Sequence, residues 1–541
     1  MTATTPATGF TSYVDVVLAG LARDPSRAVV TTVADAVPAT ADGGGGAGGR
    51  PGTDAPAEVT AGALHATVHR MAAVLADRGI GRGRTVSLLS GNCPEVLAAR
   101  YAANLLGARV VFLYDGMAPE TLARIAESVE TALLLVDPAL HDSARAVLEH
   151  TKGPLPEVMT FGPAPAALGP DLVAACAALR TTPVVPSAAR PEDDWCIRHT
   201  GGTTGIPKGV RMAHAPYAAM ITQQPPAADG AKPRFLASTS LAHLAGILTD
   251  VTLAAGGSVV LHRAFDPAAV LAAIAHDRIT HLWLLPPLLY RLLDDPTLPT
   301  TDLSSLTSIT YGGCSASPSR LVQATKAFGP VLYGMYGMSE AMSIAVALPE
   351  DHTPTGPGGR ITVGRALPGV ELAVRAADGR DLPAGEEGEI HVRSAGVMTG
   401  YWKQPELTAQ VLPGDGWLRT GDVGCLDDEG RLYLVDRVKD LIIVVGGHVH
   451  PAEVEDLLHT HPAVAHCAVY GVRTVDEAEE VHAAVVPAPG YDVDTDDLRA
   501  FVTEHKGALY APTAVRLLDE IPLTPVGKPD KTLLRATAAT A

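Results

Sequence analysis

From residue 59 to residue 137 the chain alternates between two hydrophobic periods, and this restricts its fold more than any other feature. VTAGALHATVHRMAAVLADRG (59–79), PEVLAARYAANLLG (94–107) and APETLARIAESVE (118–130) carry apolar residues at helical spacing. TVSLLS (85–90), ARVVFLY (108–114) and ALLLVD (132–137) are short apolar runs of strand length. Strands alternating with helices form βαβ units, which pack as a mainly parallel sheet with helices on its faces. The pattern resumes in FLASTS (235–240), AHLAGILTDVTLAAGG (242–257), SVVLHR (258–263), DPAAVLAAIAHDR (266–278) and HLWLLP (281–286). From about residue 361 it changes to short strands and turns: VELAVRAADGRDL, GEIHVRS and GRLYLVDR. The last hundred or so residues return to mixed α and β in PAEVEDLLHTHP, HCAVYGV, VHAAVVP and DDLRAFVTEHKG.

At 541 residues the chain exceeds what one core supports, so two or more domains are expected. The fold class is α/β. A large N-terminal domain, 1–436, holds parallel α/β sheets and a β-rich subdomain at about 361–436. A small α+β domain follows at 437–541. The junction is Asp436-Arg437-Val438-Lys439-Asp440, a charged stretch between the apolar runs RLYLV and LIIVV. The glycine-rich run at 38–58 cannot bury apolar surface and reads as a surface insertion.

Charge and cysteine usage exclude several classes. A net charge of -18 speaks against nucleic acid, which demands a basic face. No apolar run is long enough for a membrane span, and MTATTPATGFTSY lacks the basic start and apolar core of a signal peptide. A cytoplasmic protein is expected. The six cysteines are scattered with no CxxC pair, which suits small buried thiols in a reducing compartment. The sequence sets no oligomeric state.

HTGGTTGIPKGV (199–210) carries the chemistry. Gly201, Gly202 and Gly205 permit close approach of the backbone to a ligand, and successive N–H groups there can form an anion nest. Thr200, Thr203 and Thr204 add hydroxyls, and Lys208 a point charge. The common phosphate loop, G-x-x-x-x-G-K-[ST], is not met, because Pro207 precedes the lysine and Gly209 follows it. Pro207 disfavours helix at Ile206, so no helix N-terminus is expected under the phosphates. The loop reads as a flap between two strands.

TGGTTGIPKG resembles the phosphate loop of the adenylate-forming (ANL) superfamily, which includes acyl- and aryl-CoA ligases and the adenylation domains of peptide synthetases. Further stretches resemble its other motifs in order: YGMSE (336–340), GVMTGYWKQPELT (396–408), WLRTGDVG (417–424), GRLYLVDRVKDLIIVVGGHVHPAEVE (430–455) and PLTPVGKPDK (522–531). The likeness spans essentially the whole chain. It implies an ATP-dependent activation of a small organic acid as its adenylate, with pyrophosphate release and then transfer to a thiol.

The resemblance also implies roles. Lys528 is the cation joining the new acyl carboxylate and the α-phosphate. Glu340 holds Mg2+. Tyr336, within Gly337, Met338 and Ser339, offers its ring to adenine. Asp422 and Arg437 meet the ribose. Gly312 and Gly313 with Cys314 form the floor of the adenine and acyl pockets. Gly246 and Met338 also fall in the acid pocket, and His243 stands near the substrate carboxylate. Lys439 is the hinge of a domain rotation that withdraws Lys528 and brings Gly446-Gly447 to a thiol tunnel. ATP, Mg2+ and CoA are the implied cofactors and co-substrates, with a carrier protein in place of CoA as an alternative.

The sequence departs from the family pattern at three points. His199-Thr200-Gly201-Gly202 replaces the commoner opening of the loop. LLGARVVFLYDGM lacks the usual proline and asparagine after its strand. AVYGVRTVDEAEEVHAAVV lacks the glycine before glutamate. These bear on acid and acceptor, not on ATP. No carrier domain follows Lys531, which points to a stand-alone ligase. The pocket segment SLAHLAGILTD supplies only Asp250, later than the aspartate that grips an α-amino group, which argues against an α-amino acid. The competing readings keep the adenylation but take an amine or carrier-protein thiol as acceptor, or activate an unusual oxyanion such as nitrite. A non-catalytic nucleotide-binding regulator is a third, against which Lys528, Glu340 and Asp422 all stand.

Overall fold

The computed structural model describes residues 9–33, 57–164, 168–200, 207–222, 232–354, 356–437, 442–444, 447–473, 479–524 and 527–538. Two compact units emerge: Met1–Trp283 with Gly396–Thr408, and Leu284–Ala395 with Ala409–Ala541.

The first unit contains a seven-stranded sheet in the order Gly400–Tyr401, Lys208–Ala213, Asp194–Thr200, Arg109–Leu113, Thr85–Leu89, Thr131–Val136, Glu157–Thr160. The last five of these run parallel, and the first two join antiparallel. All five residues of Thr85–Leu89 are buried, as a parallel strand covered on both faces requires. The helices Ala61–Asp77, Pro94–Leu105 and Pro119–Ser128 fall on the helical periods of the sequence. Thr60 caps the first through Ala63 N, and prolines open the other two. Leu89, Val111, Leu113, Val136 and Ile197 share one apolar core with the Pro119–Ser128 helix. A second set of strands, Arg234–Ala237, Ser258–Leu261 and Ala28–Thr32, is parallel, with Ala57–Thr60 added antiparallel. Most of the glycine-rich run at 38–58 lies outside the described residues; its last two, Ala57 and Glu58, are strand and not loop.

Between helices of this unit sits a polar cluster with no exposure to solvent. Asp250, on the Leu244–Ala254 helix, pairs with Arg100 and accepts from Tyr101 and Tyr217 hydroxyls, both at 2.5 Å. Tyr13 donates to Asn104 at 2.5 Å, and Trp195 stacks on Tyr217 with ring centroids 4.1 Å apart. Burial pushes the Asp250 carboxyl up from its ordinary range, against the pull of Arg100 and of both tyrosines.

The second unit begins with parallel strands Ser308–Gly312 and Leu332–Met338, followed by antiparallel Met342–Ala347. The β-rich stretch is a four-stranded antiparallel sheet of Glu371–Arg375, Gly388–Arg393, Leu418–Leu426 and Leu432–Arg437. Near the C-terminus, Val464–Arg473, Glu479–Pro487 and Ala514–Leu517 form a three-stranded sheet with helices Pro451–Leu458, Thr495–Lys506 and Lys531–Ala538. Its core is built on Val454, Leu458, Val469, Val485, Leu498 and Val502. Among the described residues no helix is long and apolar enough to cross a membrane. None of the six cysteines is in a disulfide; five are buried and Cys314 is half-buried.

Candidate active site

In the first unit the phosphate loop is a hairpin connection. Thr200 stands opposite Lys208 on antiparallel strands. The strand runs on to Ala213, and a helix begins only at His214. Pro207 therefore does what its chemistry dictates, and no helix lies directly behind the lysine. Gly201, Gly202, Thr203, Thr204 and Gly205 lie outside the described residues. The Lys208 ammonium sits 5.2 Å from the centre of the Tyr401 ring. Tyr401 belongs to the 396–408 motif, which braces the hairpin base: Tyr401 pairs with Val210, and Trp402 N donates to Gly209 O at 2.7 Å. Thr408 Oγ1 accepts from Tyr401 N at 2.9 Å, and Trp402 Nε1 donates to Ser128 O at 2.8 Å.

His243 is the N-cap of the Leu244–Ala254 helix but makes no side-chain capping bond. Its imidazole stacks on Tyr114, centroids 4.8 Å apart and planes within 4°. Tyr114 follows the end of the Arg109–Leu113 strand, and the sequence did not single it out. Gly246 approaches its surroundings so closely that a Cβ there would lie 2.0 Å from Leu241 O and 3.1 Å from Arg100 Nη1. The side of Gly246 on which a side chain would project is thus filled by protein. Asp250 is committed to Arg100, Tyr101 and Tyr217. Arg198, buried in the strand before the loop, also escaped the sequence reading, and His199, named there only as part of the altered loop opening, is buried beside it. Burial pushes His199 down to about 4.

In the second unit Tyr336, buried near the end of its strand, donates its hydroxyl to Asp422 Oδ2 at 2.7 Å. These residues are 86 apart in sequence. Asp422 is buried and opposes Arg437 across adjacent antiparallel strands. Thr420 fixes the Asp422 backbone: its hydroxyl accepts from Asp422 N at 3.0 Å and donates to Ile390 O at 2.7 Å. Three residues from separate motifs therefore converge. Met338 pairs with Met342, and Ser339 and Glu340 lie in the turn between their strands. Only glycine fits at 337, where a Cβ would come within 2.3 Å of Met342 O. Glu340 is buried in that turn. No group of three or more His, Cys, Asp or Glu among the described residues could enclose a metal. One carboxylate suits Mg2+, which is bound through one or two carboxylates together with substrate phosphates. Gly312 ends the Ser308–Gly312 strand, and Gly313 follows in the left-handed region at φ 87°.

Lys528 lies in a tight turn. Thr524 N donates to Lys528 O at 2.7 Å, and Lys528 N donates to Thr524 Oγ1 at 3.2 Å. Gly527 supplies the positive φ, 81°. The neighbouring Lys531 is held by Glu455 at 2.8 Å. Lys439 and Gly446 lie outside the described residues. Gly447 opens the short strand Gly447–Val449, opposite Val444.

The family model of the AMP-binding enzymes matches residues 47–402, and that of the AMP-binding enzyme C-terminal domain matches 453–528. The chain is similar to a medium/long-chain-fatty-acid–CoA ligase of Mycobacterium tuberculosis, 37% identical over 473 residues, covering 85% of this chain and 82% of the relative. It is also similar to a feruloyl-CoA synthase of an Amycolatopsis species, 34% identical over 486 residues, covering 86% and 91%. Among solved structures, amide bond synthetase McbA from Marinactinospora thermotolerans superposes with a TM-score of 0.81 at 38% identity, covering 97% of this chain and 99% of that one.

Proposed function

The chain belongs to the AMP-binding enzyme family, the adenylate-forming ligases, and from that premise we propose the course of its reaction. A carboxylate oxygen of a small organic acid attacks the α-phosphorus of ATP. The bond to pyrophosphate breaks and the acyl-adenylate forms. The thiol of CoA then attacks the acyl carbon, its proton departs, and AMP leaves as the thioester forms.

The observation that best supports this reading is the meeting of Tyr336, Asp422 and Arg437. A buried carboxylate suits two ribose hydroxyls, and a tyrosine ring suits a purine face. The loop 200–208 donates N–H groups, hydroxyls and the Lys208 charge to the departing pyrophosphate. Mg2+, held by Glu340 together with the phosphates, would neutralise charge on the leaving group. Lys528 stabilises the charge that develops on the α-phosphate. His243 and Gly312, Gly313, Cys314 and Met338 border the acid. The segment 437–541 turns about Lys439 after the first step, exchanging Lys528 for Gly446-Gly447. Use of ATP and CoA fits a cytoplasmic enzyme.

A second reading, an amine as acceptor, is favoured by one observation, the likeness to an amide bond synthetase along nearly the whole chain. One screen separates the two. Pyrophosphate release is measured against aryl, fatty and dicarboxylic acids and nitrite, with and without CoA or an amine, and products are identified by mass spectrometry. Acid-dependent pyrophosphate release with a CoA thioester supports the ligase. Adenylate that yields only amide supports the second reading, and no pyrophosphate with any acid refutes both.

A further inference from the structure

Two arginines are buried in the first unit on strand and helix elements that meet Tyr114 and its surroundings, and they are compensated differently. Arg100 is 2% exposed and has Asp250 as counter-ion. Arg198 is 9% exposed, its Nε has no hydrogen-bond partner, and no ion pair joins it to a carboxylate among the described residues. A guanidinium taken out of water without a counter-charge costs several kcal/mol. A folded chain that retains such a group has a use for it.

Its position says what that use is. Val111, Leu113 and Ile197 face the core under the Pro119–Ser128 helix. Side chains alternate along a strand, so Cys196 and Arg198 point to the opposite face. Tyr114 shares that face, and its hydroxyl feels the charges of both Arg198 and Cys196. Tyr114 in turn stacks on His243. Arg198, Tyr114 and His243 thus form a row, from a strand end, from the end of its parallel neighbour and from a helix N-cap. Ligands of open α/β sheets bind beyond the carboxyl ends of parallel strands, which is where this row lies.

We propose that Arg198 is the counter-ion for an anionic oxygen of the substrate acid, with Tyr114 and His243 flanking it. The inference rests on the acid-activating reading given above. The anionic oxygen has two sources: the reacting carboxylate itself, or a second acidic group on a bifunctional acid.

Arg198→Gln and Arg198→Lys are compared with the unaltered enzyme by pyrophosphate release with benzoate, terephthalate, hexanoate and adipate, and by thermal melting. Arg198→Gln raises KM for the acid roughly 10- to 100-fold, the range of a hydrogen bond to a charged group, while KM for ATP stays within about twofold. Arg198→Lys recovers part of the loss. An equal rise for mono- and dicarboxylic acids assigns Arg198 to the reacting carboxylate; a rise confined to terephthalate and adipate assigns it to the second acidic group. Without ligand, Arg198→Gln melts at the same temperature or higher, because an uncompensated buried charge has gone. The proposal is overturned if KM for the acids is unchanged, if only KM for ATP rises, or if Arg198→Gln lowers the melting temperature or does not fold. Absence of activity in the unaltered enzyme with every acid refutes the acid-activating reading instead, and so is distinguishable.

Discussion

Asp250→Asn tests whether the buried cluster of the first unit is structural. Asp250 has no exposed surface and takes three donors: Arg100, and the Tyr101 and Tyr217 hydroxyls at 2.5 Å. Asparagine preserves the shape but not the charge. The Arg100 guanidinium, 2% exposed, loses its only buried counter-ion in the cluster, and one of the three donors meets an amide N–H in place of an acceptor. Breaking a buried pair in this way costs about 3–5 kcal/mol. With a urea dependence of about 3 kcal/mol per molar, the upper end of the usual range as befits a chain of this size, the unfolding midpoint falls by on the order of 1–2 M. Trp195 reports on the event directly, since it is buried and stacks on Tyr217 at 4.1 Å. The assay is urea unfolding followed by tryptophan fluorescence, and acid selectivity by pyrophosphate release at a temperature where the variant is folded. A midpoint shift below about 0.3 M would refute the energetic argument. Activation of an α-amino acid by the unaltered enzyme, lost specifically in the variant, would refute the structural assignment of Asp250.

Tyr336→Phe removes the 2.7 Å bond to Asp422 and keeps the ring; KM for ATP rises roughly tenfold while kcat changes less, read from initial rates of pyrophosphate release. Lys528→Ala lowers the adenylation rate at least 100-fold yet spares thioester formation from supplied acyl-adenylate, whereas Lys208→Ala acts mainly on KM for ATP; rapid-quench assays of each half-reaction separate them. Burial pushes His459 down to about 4 and Asp456 up to about 8. The His459 contribution to stability is complete above 6.5 and is lost as pH falls towards 4, while the Asp456 contribution is lost as pH rises from 3.8 through 8. His459→Gln therefore flattens the acid limb of a plot of urea midpoint against pH, and Asp456→Asn flattens the limb between 4 and 8; unchanged slopes count against both assignments.

Local chemistry made much of this molecule readable. The helical and strand periods between 59 and 137 mark elements within a residue or two of where they form, because burial of one stripe or of both faces is written into each segment. That a strand and not a helix carries Lys208 agrees with Pro207 before it. What remained hidden depends on long-range pairing. Arg100 and Asp250 are 150 residues apart, and Tyr114 and His243 come from elements that neither periodicity nor composition links. The motif at 396–408 falls inside the β-rich stretch by sequence, but it folds onto the Lys208–Ala213 strand through two backbone pairs. The signal for Arg198 was present all the same: a charge within the apolar run WCIRH has to be neutralised once that run is buried.

Two of the three departures from the family pattern lie in the first unit. LLGARVVFLYDGM ends its strand in Tyr114, and the altered loop opening begins at His199, directly after Arg198. The two strands are parallel neighbours, joined at Val110 and Cys196. Two of the altered segments thus border Tyr114 and Arg198, while Tyr336, Asp422 and Arg437 keep the residue types of the family's motifs. A ligase that changes its acid has to alter shape and charge where the acid lies, but adenine, ribose and triphosphate stay the same. On that argument the unfamiliar residues, more than the motifs, are the ones that define the substrate. A buried guanidinium with no ion pair to a carboxylate among the described residues points to an acid that brings negative charge to it.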